Sequence, residues 1–470
     1  MRRLIDAAVV GLIAVCSVAP ADARAQETVR GSSALNPFLG GVAREAAGAP
    51  LSLSLAEALR RGLDRNLGVL LQEQRVRTAD GARWRQLSGL LPDVSGLVHE
   101  TREKVNLAAL GFAGFPGIPN IIGPFNVFDA RVSLSQPLVD VGAVFEAREG
   151  AAALRAERHA YQDARNLVTL VVTNLYLRTV AEASRVDAAR AQAETAESLY
   201  QLAVDRNSAG VVPRIEVLRA DVERKAAVQR RIVVENELAR ARLALARAIG
   251  LPTGQAFSLA DQMPYAPAAV VDQASAVEAA YGQRADFLQA RARVEAARAS
   301  LAAARAERLP RLTLDANYGW IGAVPSSAVS TFTVTANVHV PIFAAGRTHA
   351  RSLESDAELR RRELELEDLR GRIVYDIQTA LGDAAAAAEQ VDVAQGAVDL
   401  ADQVLTQAED RFRAGVAANI EVIQAQEAAV AAREAFISSL YAHNLAKAGL
   451  ARAIGIGEQD FSRFMEGRAP

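Results

Sequence analysis

The 470-residue chain has one cysteine, Cys16, and five histidines. If the chain is cleaved beyond Cys16, disulfides and thiol catalysis are excluded. The histidines, at 99, 159, 339, 349 and 443, form no H-x-x-x-H or similar spacing, so no metal site is expected. There is no G-x-S-x-G, P-loop or Cys/His pair, so neither catalysis nor a cofactor is expected. A formal net charge of −2 gives no electrostatic footprint for nucleic acid. Half the residues are apolar, yet beyond the first 25 no run approaches the ~20 apolar residues of a spanning helix. Proline is missing between Pro137 and Pro213, and from Pro341 to the last residue, Pro470. Glycine is missing between Gly150 and Gly210. Without these two breakers, very long helices become possible.

What is present begins with a secretory signal over residues 1–25. Arg2 and Arg3 precede an apolar stretch over 7–19, and Ala23-Arg24-Ala25 fits the small-x-small cleavage pattern near Ala25. Acylation of Cys16 is the alternative route to a membrane, and Val15 just before it argues against that route. A secreted chain without a spanning helix is either soluble or a transmembrane β-barrel. Residues 26–50, rich in Gly, Ala, Pro and Ser, read as an extended leader.

The rest of the chain is duplicated. RNSAGVVPRIEV (206–217) recurs as RFRAGVAANIEV (411–422), and ARAIGL (246–251) as ARAIGI (451–456), with a constant offset of 205 residues. A first repeat over 51–255 and a second over 270–456 follow, with a tail at 457–470. Each repeat opens with a helix, over about 52–90 with Ser52 or Ser54 as its cap, and over about 272–309. Both helices stop at Leu-Pro, Leu91-Pro92 and Leu309-Pro310, where proline ends the helix and pushes the preceding residue toward extended geometry.

Beyond each Leu-Pro the period changes to two. Leu312, Leu314, Ala316, Tyr318 and Trp320 share one face, and Phe332, Val334, Ala336 and Val338 share another. Phe128, Ala130, Val132 and Leu134 do the same over 127–135, while a strand near 93–105 alternates poorly. Hairpins over about 93–136 and 311–340 are expected, ending at Pro137 and Pro341. The first is about 14 residues longer, through GFAGFPGIPNIIGPF at 111–125, which suits a tip loop. Ten-residue strands are long enough to cross a bilayer when tilted, and also fit a soluble hairpin. A helix over about 143–206 follows, about 95 Å long. It stops at Ala209-Gly210, as its counterpart stops at Ala414-Gly415, and a second helix returns from Ile215 or Ile420.

This order, with R-x-x-A-G-V followed shortly by IEV in both copies, resembles the TolC-type outer membrane efflux family over about 51–456. The resemblance implies a mainly α fold with a small β part and four strands per chain. It implies a homotrimer that completes a twelve-stranded barrel in outer membrane lipid and an α-helical tunnel in the periplasm. Leu312, Leu314, Phe332, Val334 and Val338 would then face lipid. It further implies a periplasmic adaptor protein and an inner-membrane pump, proton-driven or ATP-driven, as partners. On the family pattern the adaptor meets the helix tips, here Arg206, Gly210, Val211, Arg411, Gly415 and Val416. The aperture acids fall on Glu216 and Glu421, and the second acid is replaced by Gln424 in copy two and Arg219 in copy one. Charge runs such as 358–372 read as solvated helix surface. The alternative without a pore is a periplasmic coiled-coil scaffold, against which the amphipathic strand pairs argue.

Overall fold

The computed structural model describes residues 36–43, 51–111, 117, 119–252, 254–261, 263, 265–267, 271–416 and 419–466. The signal, Cys16, most of the leader, residues 112–116 of the hairpin insert, and Ala417-Ala418 lie outside the described residues. The first repeat runs β1 (Leu51–Leu53), α1 (Leu55–Arg65), α2 (Leu67–Ser88), β2 (Asp93–Asn106), β3 (Ile121–Val139), α3 (Val141–Ser208) and α4 (Arg214–Ala248). The second runs β4 (Phe257–Leu259), α5 (Gln273–Gln283), α6 (Ala285–Ala306), β5 (Arg311–Gly322), β6 (Val329–His339), α7 (Arg347–Arg413) and α8 (Asn419–Ile454), with α9 (Glu458–Met465) at its end.

The four long strands form one antiparallel sheet in the order β2-β3-β5-β6. Below it α3 packs on α2 and α6, and further down on α4 and α8, while α7 packs on α6 and α8. The repeats therefore lie side by side. The densest core lies midway along the long helices, where Leu59, Val172, Leu245, Phe287, Ile373 and Phe464 are buried together. Tyr176 anchors it: its hydroxyl reaches the Leu53 carbonyl at 3.0 Å and Asp261 at 2.9 Å. Burial and the Asp261 carboxylate both hold that phenol well above its usual range.

The opening helix expected in each repeat is two helices. Asn66 separates α1 from α2 and Arg284 separates α5 from α6, both with extended ψ, at 132° and 119°. The breaks are 218 residues apart, the same interval as the two Leu-Pro pairs. Each is pinned to the same carbonyl of its own repeat by different chemistry. Asn66 Nδ2 donates to Ala248 O at 3.1 Å, and Arg284 Nη1 to Ala453 O at 3.4 Å. Asn66 also donates to Phe38 O and accepts from Gly68 N, so the leader is drawn into the break.

That part of the leader is docked rather than merely extended. Val42 N donates to Arg65 O and Leu67 N to Gly40 O, with a 3-10 turn at Pro37–Leu39. Gly41 lies so close to the end of α4 that an added Cβ would stand 2.6 Å from Gly250 N. Both partners there are backbone, so neither can yield by a rotamer change. Gly41→Ala should therefore destabilise the folded chain by about 1–3 kcal/mol, read as a lower thermal midpoint. An unchanged midpoint would show that the leader is not seated on α4.

Other expectations change in detail. Ser54, not Ser52, is the cap, accepting from Glu57 N. The poorly alternating fourth strand forms over Asp93–Asn106. Strand β3 runs on through Pro137 to Val139. The β2 ladder stops at Ser135, so Pro137 has only β5 beside it, and a bulge follows before Val139. Part of the insert is strand rather than loop, because Ile121 and Ile122 pair with Asn106 and Val105. The first hairpin thus stands taller than the second. The tail holds α9, whose Phe461, Phe464 and Met465 are buried.

Candidate functional site

Both long helices stop in the same way. Gly210 and Gly415 have φ of 74° and 75°, in the left-handed region that favours glycine. Val211 N bonds Arg206 O at 2.9 Å and Gly210 N bonds Asn207 O at 3.0 Å; Val416 and Gly415 repeat this with Arg411 and Phe412. This is the paired 6→1 and 5→2 closure of a Schellman motif. The return helices close identically at Gly250 and Gly455. The residue after the glycine is usually an apolar contact in this motif. At the return ends it is: Leu251 and Ile456 are 7% and 6% exposed. At the tips Val211 and Val416 are each 69% exposed. The turn does not require that exposure.

The tip arginines diverge. Arg206 reaches across to the second repeat, with its guanidinium 4.6 Å from the Phe412 ring centroid and Nη1 donating to Phe412 O. Phe412 also belongs to a small core with Ala408, Val422 and Ala425, so the two tips are joined. Arg411 instead lies 3.6 Å from Glu421. Glu216 bonds Arg219 at 2.9 Å and is half-buried, whereas Glu421 and Gln424 are exposed. The first repeat thus carries a neutralised acid where the second carries a more open one.

The sheet brings the expected faces together in register. Leu312 pairs with Val338, Leu314 with Ala336, Ala316 with Val334 and Tyr318 with Phe332. Val132 and Leu134 of β3 continue that face onto Tyr318 and Ala316, and Val94 and Val98 of β2 continue it onto Leu134 and Ala130. Phe332, Val334 and Val338 are exposed, Leu312 and Leu314 half-buried. Tyr318 and Trp320 meet edge to face at 5.3 Å.

The opposite face is polar and cross-linked in a way that alternation alone did not reveal. Arg131 grips Asp129 through both forks and reaches Asn317. Asp315 accepts from Ser135 at 2.7 Å and from Asn337 at 2.7 Å. The sequence signal was present in the matched polar positions of β3, β5 and β6, but it needed the register to be read.

A groove of about 450 Å³ between α3, α4 and α8 was also not foreseen. Arg185, Gln192, Arg230, Gln426 and Arg433 line it. Among the described residues no helix is long and apolar enough to cross a membrane, and no group of metal-ligating side chains converges.

A family model described as "Outer membrane efflux protein" matches residues 58–251 and 276–456. The chain belongs to this family. Like it is the pyoverdine export outer membrane protein OpmQ of Pseudomonas aeruginosa, 28% identical over 428 residues, which are 88% of this efflux protein and 87% of OpmQ. The alkaline protease secretion protein AprF of the same organism is 21% identical over 74% of each chain. The crystal structure of the Campylobacter jejuni CmeC outer membrane channel superposes with a TM-score of 0.74 at 17% identity, covering 92% of this efflux protein and 96% of CmeC. The mainly helical fold with few strands is that of the TolC-type channels. Membership makes this efflux protein an outer membrane export duct.

Proposed function

We propose that the duct is a homotrimer in a tripartite export system, passing cargo from an inner-membrane pump and a periplasmic adaptor to the exterior. The observation that carries this reading is the four-stranded sheet, apolar on one face, polar on the other and open at both edges. Four strands do not close a barrel, and open edges are not tolerated in lipid. Three chains supply twelve strands and remove every edge. Leu312, Leu314, Phe332, Val334 and Val338 then face lipid, and the Asp129–Arg131 and Asp315–Asn337 pairs line water.

The adaptor docks on the tips through Val211 and Val416, with Gly210 and Gly415 shaping the turns. Arg206 and Arg411 act within the tip, on Phe412 and Glu421. Glu421 and Gln424 from three chains, with Glu216 beside them, line the periplasmic aperture. Two carboxylates about 6 Å apart repel by about 3 kcal/mol at an effective dielectric near 20. Such a ring favours cations and resists closure. Glu216 contributes less, because Arg219 holds it at 2.9 Å and it is half-buried, whereas Arg411 stands 3.6 Å from the more exposed Glu421. The chain arrives in the outer membrane by secretion, with its signal removed near Ala25. It performs no chemistry, and the energy for transport comes from the pump.

The test is single-channel recording on protein purified from the outer membrane fraction. The expected result is a cation-preferring conductance, with that preference reduced in Glu421→Gln and changed less in Glu216→Gln. Preference and conductance identical in Glu421→Gln would remove the aperture role. A soluble, elongated periplasmic species without conductance would overturn the duct.

A further inference from the structure

We infer the register in which β6 of one subunit pairs with β2 of the next. The inference rests on the trimeric reading above and adds to it which residue meets which. Among the described residues of one chain β2 pairs only with β3 and β6 only with β5, so these two are the edges to be joined. Strand alternation alone does not fix the seam. A slip of two residues keeps every side chain on its own face.

The duplication does fix it. The first strands of the two hairpins are related by 218 residues, as in Pro92 and Pro310, and the second strands by 204, as in Pro137 and Pro341. The ladders obey both intervals. Asp93 pairs with Ser135 in the first hairpin, and Arg311, 218 further on, pairs with His339, 204 further on, in the second. Inside the chain, the second strand of the first repeat joins the first strand of the second repeat. There Ser135 faces Asp315, Ser133 faces Asn317 and Arg131 faces Gly319. A seam that repeats this step joins β6 to β2 of the next chain. The same two intervals then place His339 opposite Leu97 of the partner subunit, Asn337 opposite His99 of the partner subunit, and Thr335 opposite Thr101 of the partner subunit. On the outer face, Val338 meets Val98 of the partner subunit. Asn337 with His99 of the partner subunit and Thr335 with Thr101 of the partner subunit set polar against polar toward water, Leu97 of the partner subunit is the one apolar residue among these three pairs, and valine meets valine toward lipid.

The helices carry the same instruction at the same edge. Leu199 on α3 packs against the second repeat's cluster of Ala408, Phe412, Val422 and Ala425. Its counterpart 205 residues on is Val404 of α7, which is exposed. Val393 and Leu400 lie exposed on the same helix. This stripe stands where α3 has its partner α8, and α4 of the next subunit is the repeat-equivalent of α8. The strand seam and the helix seam therefore assign the same neighbour.

The register is read by disulfide trapping in the intact protein, whose sequence beyond Cys16 holds no cysteine. Thr335→Cys is combined in turn with Thr101→Cys, His99→Cys and Glu103→Cys. Directly opposite residues lie about 4.5–5.5 Å apart, within disulfide range, and diagonal ones about 7–8 Å. Thr335→Cys with Thr101→Cys should give covalent dimers and trimers on a non-reducing gel, at least about tenfold above either other pair. Preferential trapping of His99→Cys or Glu103→Cys would overturn the register. So would failure of all three in a particle whose sedimentation mass is that of a trimer. A monomeric mass would instead overturn the trimer on which the inference stands.

Discussion

Replacing Val211 and Val416 together by aspartate should stop export and leave the conductance in planar bilayers unchanged. Both valines are 69% exposed at the ends of their helices. The same six-residue closure at the other ends of the repeats buries its apolar residue, so the turn itself gives no reason for the exposure. An apolar side chain held by a rigid turn suits a dry contact with another helix tip. A carboxylate there must be buried without a partner when the adaptor docks, at a cost of several kcal/mol. With 1.4 kcal/mol per decade, adaptor affinity should fall at least about a hundredfold. Neither aspartate disturbs the fold, since the turn depends on the glycines and on backbone bonds. Complementation of a strain lacking the gene reads export, and bilayer recording of the same variant reads the pore. Wild-type export with both aspartates in place would rule out docking through the tips.

The second large effect is expected at Asn66. Asn66→Leu should lower stability by about 3–4 kcal/mol. The side chain is fully buried and holds two carbonyls and one amide. Leucine leaves Phe38 O and Ala248 O without these donors, and each such orphan costs about 1–3 kcal/mol. Arg284→Met, at the corresponding break, should cost less, because Asp286 and Asp376 keep side-chain access to water. It also has a pH signature. Burial alone would raise the Asp286 carboxyl, but the Arg284 hydrogen bonds outweigh it and hold the group below its usual range. A depressed carboxyl contributes stability above its unfolded pKa and loses it as the pH falls through the folded one. The gap between the wild type and Arg284→Met should therefore close on acidification, while the Asn66→Leu gap persists. Thermal midpoints measured against pH separate the two. A gap at Arg284 that ignores pH would show that the pair carries no ionic contribution.

The elements that were legible in the sequence are those written into repeating chemistry. Gly210 and Gly415 stop the long helices as expected, since only glycine takes φ near +75° freely. The faces of β5 and β6 were readable because side-chain alternation has a fixed period. The break at Asn66 was not readable. Leu63, Leu67 and Leu70 continue an amphipathic pattern across it, and what bends the chain is a carbonyl 182 residues away. The strands β1 and β4 have three residues each, too few for a period, and exist because they pair with one another. The run of β3 past Pro137 was not readable, because a proline in a strand depends on whether a neighbour needs its missing donor. Among the described residues no such neighbour lies on that side past Ser135. At the tips, the residue types were legible but their exposure was not. The contrast between Val211 and Leu251, in the same motif, is visible only once the core is placed.

The long helices also set a distance. α3 has 68 residues and α7 has 67, each about 100 Å at 1.5 Å per residue. The two differ by a single residue, so in the proposed trimer the six tips would end at one level, like the legs of a stool. A pump complex of the kind proposed above would meet a flat foot at a fixed depth. Adding or removing two heptads from one hairpin alone would tilt that foot by roughly 20 Å, and adding them to both would move the whole floor. On that reading, the span between the two membranes would be written into the length of two proline-free stretches.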